Sequence, residues 1–420
     1  MSRSDAPTAA AGALPSDQAD RRARATALAC MVGLAVVLGV GRFAFTPLLP
    51  LMLADGSIGL KAGGWLASAN YAGYFAGAVS CAALRVAPAR MVRFGLAATV
   101  LLTAAMGIGH LLPVWLAVRF VAGVVSAWTF VFVSQWGLRR LAELHAPEWS
   151  GVIYAGPGVG IVLTGLIGSA LVGRPAASGW LGFAAVSAVL SVAIWRTFAV
   201  APAQAAPPAG TTPHAAAAAS AASAASAAPA DARRHRADAA WLVVLYGTPG
   251  FGYIITATFL PVIARAVLPA GSPWPDLFWP MFGAALIVGA IAAARLPGNW
   301  DNRLLLAAGC ATQALGIAAG IVWPNALGFS VGSALLGLPF TAITLFAMRE
   351  ARRLHGERAA GLMGYATASY GGGQIIGPLV AAPLAARFGS FSPALWVAVA
   401  ALLVGAAGFA AIAAKGRLRR

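Results

Sequence analysis

"GVGRFAFTPLLP" occupies residues 39–50, and "GFGYIITATFLP" occupies residues 250–261, an offset of 211. Laid over each other without a gap, Gly39 meets Gly250, Gly41 meets Gly252, Leu49 meets Leu260 and Pro50 meets Pro261. The same offset pairs Pro113 with Pro324 and Tyr154 with Tyr365, while an offset of 210 pairs Gly73 with Gly283 and Arg85 with Arg295. One match means little in a chain with 49 glycines. A series at nearly one spacing reads as an internal duplication. Arg42 breaks the pattern: it sits in a greasy run, and its counterpart is Tyr253. A cation at mid-membrane depth costs about 2.5–3.5 kcal/mol on the insertion scale, so it asks for a reason.

The 420 residues are 60% hydrophobic and 10% charged, where a soluble domain carries about 25% charged residues. That balance points to an integral membrane protein in contact with the lipid bilayer. The net charge of +17 does not indicate a nucleic-acid partner, because the cations lie in short clusters between apolar stretches. An excess of arginine over lysine and abundant alanine suggest a GC-rich bacterial genome, hence the bacterial inner membrane. Cys30, Cys81 and Cys310 are too few for a disulfide framework and read as reduced packing residues. The polar start, with Arg21, Arg22 and Arg24, leads into a first apolar run expected to be an uncleaved membrane helix.

Apolar runs of about 20 residues predict twelve helices, near 26–53, 63–84, 94–112, 114–136, 151–173, 178–199, 239–264, 277–294, 304–323, 326–348, 362–386 and 392–414. Between the sixth and seventh lies low-complexity Ala/Pro/Ser sequence, predicted to be a flexible linker. The expected organisation is a tail at 1–25, a six-helix bundle at 26–199, a cytoplasmic linker at 200–238, a second bundle at 239–414 and a basic tail at 415–420. With both termini inside, 23 of the 29 Lys/Arg fall on cytoplasmic segments and four on outer loops, which fixes the expected orientation.

Six helices, a cytoplasmic linker and six related helices resemble the major facilitator superfamily, whose halves rock around a midplane site. "GVGRFAFTPLLPLML", "GGWLASANYAGYFAGA" and "WSGVIYAGPGVGIVLTG" are similar to its YbfB/YjiJ-type branch. The resemblance implies an all-α membrane protein of two pseudo-symmetric bundles. It also implies that the first, fourth, seventh and tenth helices line a central cavity, placing Arg42 and Arg119 on one aqueous space. Arg119 could instead brace a helix, and Arg42 is too deep to snorkel easily. The Gly156-Pro157 pair resembles the superfamily's fifth-helix motif; with Gly377 and Pro378 it reads as a hinge or close packing. The loop between the second and third helices departs from the family, with Cys81 where an acid is expected.

Polar residues at helical spacing suggest cavity faces at Asn70, Tyr74, Tyr246, Tyr253, Thr256, Tyr370 and Gln374, with interhelical hydrogen bonding as the alternative role. All 12 carboxylates lie in tails, loops or at helix edges, leaving Asp55 and Asp276 at the outer rim as the nearest proton carriers. No buried carboxylate pair, His/Asp cluster or metal-ligand spacing is present, so neither an enzyme nor a metal or cofactor site is expected. Two buried cations without a buried anion point to a secondary transporter of a small-molecule substrate, an organic anion anchored by Arg42. The rivals are an exporter of neutral or cationic compounds, with Arg42 bonded to carbonyls at the Pro47/Pro50 break, and a non-transporting sensor or scaffold. A monomer is expected.

Overall fold

The computed structural model describes residues 16–199, 229–356 and 359–417. The first half contains α1 (Ser16–Leu34), α2 (Phe45–Ala54), α3 (Leu60–Ser80), α4 (Pro88–Ile108), α5 (Leu112–Glu143), α6 (Ser150–Tyr154), α7 (Gly156–Ala170) and α8 (Ala176–Ile194). The second contains α9 (Pro229–Val267), α10 (Trp274–Arg295), α11 (Asn302–Val322), α12 (Ala326–Gly337), α13 (Phe340–His355), α14 (Ala359–Phe388) and α15 (Ser392–Arg417). Strands are absent among the described residues. Each apolar run read from the sequence falls on a helix, and α1–α2, α6–α7 and α12–α13 are single runs with an interruption.

Ten of these segments are long and apolar enough to cross a membrane. α3 and α14 are long enough but less apolar, and they pack on each other between the halves, where lipid contact is reduced.

Helix ends differ from the sequence reading wherever polar residues continue a helix. α1 begins at Ser16, so the expected tail at 1–25 is partly helical, and α5 carries Arg139 and Arg140 to Glu143. Residues 229–238, expected in the linker, open α9; residues 200–228 lie outside the described residues. Residues 415–417, expected in the basic tail, end α15. Hydropathy marks where lipid ends; backbone hydrogen bonding can go further.

The interruption in the first span follows from its prolines. Pro47 and Pro50 lack an N–H, so the carbonyls four residues earlier lose their helical donors. The chain responds with a π turn, Ala35–Val40, in which Gly41 N–H donates to Val36 O at 3.0 Å and Phe43 N–H to Leu38 O at 3.1 Å. α2 then begins at Phe45. In the second copy Thr258 stands where Pro47 does, and α9 passes through without interruption.

The duplication is visible in contacts. Thr46 Oγ1 donates to Ala257 O at 2.9 Å, a bond between two positions 211 apart. Equivalent residues can touch each other only on the axis relating the copies. The first glycine of each stretch marks a helix crossing: a side chain on Gly39 would strike the Gly160 backbone, and one on Gly250 the Tyr370 backbone. Across the halves α3 packs on α14, α7 on α10 and α2 on α9.

One apolar core runs through both halves, joining residues such as Phe43, Leu49, Leu66 and Phe183 to Tyr253, Phe259 and Phe282. The other end of the first half, around Cys30, Leu34, Val92, Val133 and Ile153, has its own core. The core shared by the two halves thus includes the end carrying α2, whereas the end of the first half carrying the start of α1 has a core of its own.

Candidate functional site

The turn between the π segment and α2 brings Arg42 into the seam between the halves, where it is 6% exposed. Its Nη2 donates to Gln374 Oε1 at 2.8 Å, and Gln374 Nε2 donates in turn to the Tyr253 hydroxyl. Arg42 and its repeat counterpart are thus joined through one glutamine of α14. The guanidinium carbon lies 4.1 Å from the Tyr74 ring centre, 5.1 Å from Tyr71 and 5.3 Å from Phe43. These are cation–π distances. Arg42 Nε is buried without a partner.

Arg119, on α5, is used differently. Its Nη1 donates to Gly41 O at 3.3 Å and its Nη2 to Arg42 O at 3.2 Å, while its carbon lies 5.0 Å over the Phe45 ring. These carbonyls flank the break, and a buried carbonyl without a donor costs about 1–3 kcal/mol. Arg119 braces the backbone that holds Arg42. Among the described residues neither arginine forms an ion pair with a carboxylate.

The other expected cavity residues divide. Tyr74, Tyr253 and Gln374 surround Arg42. Tyr370 stacks on Tyr253 at 5.9 Å, and Tyr246 lies against Tyr370 at 4.9 Å with its hydroxyl donated to Thr344 Oγ1. Asn70 faces α5, where its Nδ2 donates to Arg119 O at 2.9 Å, so it ties helices and does not join the cluster. Thr256 is also placed elsewhere: it borders a cavity of about 20 Å³ inside the second half, beside Leu260, Gly316, Phe329 and Ser333. Three residues along a helix turn the face by about 60°, enough to move Thr256 off the Tyr253 side.

Gly156 and Pro157 sit at a real interruption between α6 and α7, with Gly156 against the Met31 carbonyl. Gly377 and Pro378 lie within continuous α14, where a side chain on Gly377 would strike Ile254. The first pair breaks a helix; the second permits packing. At the rim, Asp55 accepts from Ala176 N–H at 3.0 Å, and Asp276 pairs with Arg265. Burial pushes the Asp55 carboxyl up, but hydrogen bonds from Ser57 and Ala176 outweigh it and hold it below its ordinary value.

The sequence reading missed Tyr71, whose hydroxyl shares a hydrogen bond with Thr258 Oγ1 at 3.0 Å across the halves. Its spacing of three from Tyr74 was the available signal. It also missed Trp279 on α10, fully buried, which meets Phe43 at 5.9 Å and keeps its indole N–H without a partner. Nothing in the local sequence marks it.

A family model described as "Uncharacterised MFS-type transporter YbfB" matches residues 34–409. No curated protein matches the chain. Among solved structures, a point mutant of the nucleoside transporter NupG superposes with a TM-score of 0.71 at 13% identity, covering 92% of this chain and 99% of that one. A D-xylose-proton symporter superposes with a TM-score of 0.71 at 11% identity, covering 92% and 97%. At these identities the likeness is one of fold.

Proposed function

The chain belongs to the YbfB-type family of MFS transporters, and from that premise we propose that it moves a small organic anion, with Arg42 as the anchor. The observation carrying this reading is the state of Arg42. It is buried between the halves, holds only a neutral amide and aromatic faces, and keeps Nε free. A guanidinium is never neutral under cellular conditions, and its fork fits a carboxylate or phosphate. An anion arriving there replaces one neutral bond with charge-assisted ones.

The rival reading, a carrier of neutral or cationic compounds, needs Arg42 itself bound to carbonyls at the break. The carbonyls beside the break, those of Gly41 and Arg42, are bonded by Arg119, and Arg42 bonds the Gln374 amide. That leaves the anionic ligand as the better account of Arg42.

Transport is by rocking of two halves about the seam, from a bacterial inner membrane, by a monomer with both termini cytoplasmic. The distribution of cations supports this orientation. It makes the end carrying α2, where the halves share an apolar core, the outer one. Uptake or efflux of a panel of organic acids by wild type and by Arg42→Ala tests the anchor. Wild type transports at least one acid and Arg42→Ala does not; equal rates would remove Arg42 from the site. Arg42→Lys keeps the charge and loses most of the rate, because a point charge cannot form the fork.

A further inference from the structure

Five of the seven tyrosines in the chain, Tyr71, Tyr74, Tyr246, Tyr253 and Tyr370, lie in the cluster around the Arg42–Gln374 bond. Three of their hydroxyls are already committed: Tyr71 to Thr258, Tyr246 to Thr344, and Tyr253 to Gln374. What these residues contribute around that bond is aromatic ring, with Tyr253 and Trp279 fully buried. From the first half come the rings over which Arg42 lies. From the second come Tyr253, stacked on Tyr370 with planes 22° apart and met edge-on by Phe340, and Trp279, parallel to Phe282 at 5.1 Å.

The fully enclosed polar atoms among these residues that lack a partner are donors: Arg42 Nε, and Trp279 Nε1 on a ring that meets Phe43. A ligand that suits both properties supplies acceptors and a flat π surface. Gln374 Oε1 accepts from Arg42 Nη2 at 2.8 Å, the position a ligand carboxylate oxygen would take.

Resting on the Arg42 reading, we infer that the transported anion is an aromatic carboxylate, its acid group on Arg42 and its ring between the aromatic side chains of the two halves. Stacked and edge-on ring pairs add attraction beyond buried area. An aliphatic acid of equal size and charge gains the anchor and the burial, and not the ring contacts.

Titration calorimetry on the purified full-length protein tests this with matched pairs: benzoate against cyclohexanecarboxylate, and phenylacetate against cyclohexylacetate. Benzamide serves as the uncharged control. At least one aromatic acid binds about ten-fold or more tightly than its saturated partner, and benzamide binds weakly. In Trp279→Leu and in Tyr253→Leu that preference narrows while the saturated acid keeps its affinity. Equal binding within both pairs overturns the aromatic assignment and leaves the anchor standing. Benzamide binding as tightly as benzoate overturns the anchor as well. Absence of binding by all four acids overturns the aromatic assignment, and the uptake panel then decides the anchor separately. The wild-type comparison needs no variant, so a folding defect in either substitution leaves its outcome intact.

Discussion

In the first copy of the duplicated stretch, residues 39–50, the backbone passes through a π turn and an interruption before resuming as α2. In the second, residues 250–261, it continues as one helix inside α9. The two share Gly-x-Gly and Leu-Pro, and of the eight positions at which they differ three act together. Pro47 faces Thr258 in the alignment, Arg42 faces Tyr253, and Phe45 faces Thr256. The first copy has lost helical hydrogen bonds and gained a buried cation; the second keeps its helix and carries tyrosine. Arg119 extends the same contrast. Its equivalent, Ser330, bonds back to Ala326 O within its own helix. Beneath Arg119 the space is filled by Phe45, whereas Thr256 borders a cavity large enough for about one water. On one shared scaffold, the interrupted copy holds charge and the continuous copy does not.

The contrast can be broken most severely at its brace. Arg119→Leu orphans the Gly41 and Arg42 carbonyls and lowers stability by about 4 kcal/mol, from about 1–3 kcal/mol for each unsatisfied buried group. Thermal unfolding in detergent reads this, and a melting point within a degree of wild type refutes the bracing role. Importing the break into the second copy is next. Thr258→Pro interrupts α9, costs about 3 kcal/mol and removes the hydroxyl that meets Tyr71. An unchanged melting point would mean that proline alone does not explain the difference between copies.

Arg42→Ala sharpens the comparison from the other side. It weakens acid binding about 100-fold, as loss of a charge-assisted fork would, yet shifts unfolding far less than Arg119→Leu. The two arginines are then separated by assay: one fails in binding, the other in folding. Pro47→Ala restores a backbone donor and stabilises the protein by about 1 kcal/mol, while slowing transport because Arg42 is re-aimed; faster transport would contradict this.

The smallest effect concerns a difference between the halves at the end opposite α2. In the second half Arg303 holds Asp301 through two bonds of 3.1 Å, beside a Glu350 that also pairs with Arg353. The corresponding loop of the first half has Cys81 and no acid, and Arg93 there donates to the Trp195 carbonyl. Burial pushes the Asp301 carboxyl up, but bonds from the Arg303 side chain and backbone outweigh it and leave it below its ordinary value. A depressed folded value stabilises above the unfolded one, about 3.9, and that stability is lost as pH falls through the folded value. Asp301→Asn therefore lowers the melting temperature by about 1–2 °C at pH 7, and the gap closes below about pH 4. A gap independent of pH would assign the effect to packing.

The helices, their duplication and the burial of both arginines were legible in the sequence because hydropathy and spacing record them directly. The division of labour between Arg42 and Arg119 was not. It depends on which carbonyls a break leaves free and on the direction from which α5 approaches. For Asn70 and Thr256 spacing left a cavity face and an interhelical bond both open, because it gives a helical stripe but not the neighbour facing it; Asn70 takes the interhelical bond. Trp279 could not be found at all, since a tryptophan in an apolar helix looks the same whether it meets lipid, core or ligand.

α3 and α14, the two long helices that fall short of the apolarity of a membrane span, have a consequence for how the chain is made. Synthesis delivers helices to the bilayer in order, and α3 enters long before α14 exists to cover it. Its shelter in the meantime is α5, against which Gly73 and Gly123 bring backbone to backbone. α14 finds the same shelter on α9 through Gly250 and Gly373. Each helix is thus hidden inside its own bundle at birth, and the seam between α3 and α14 closes only after α14 has left the ribosome.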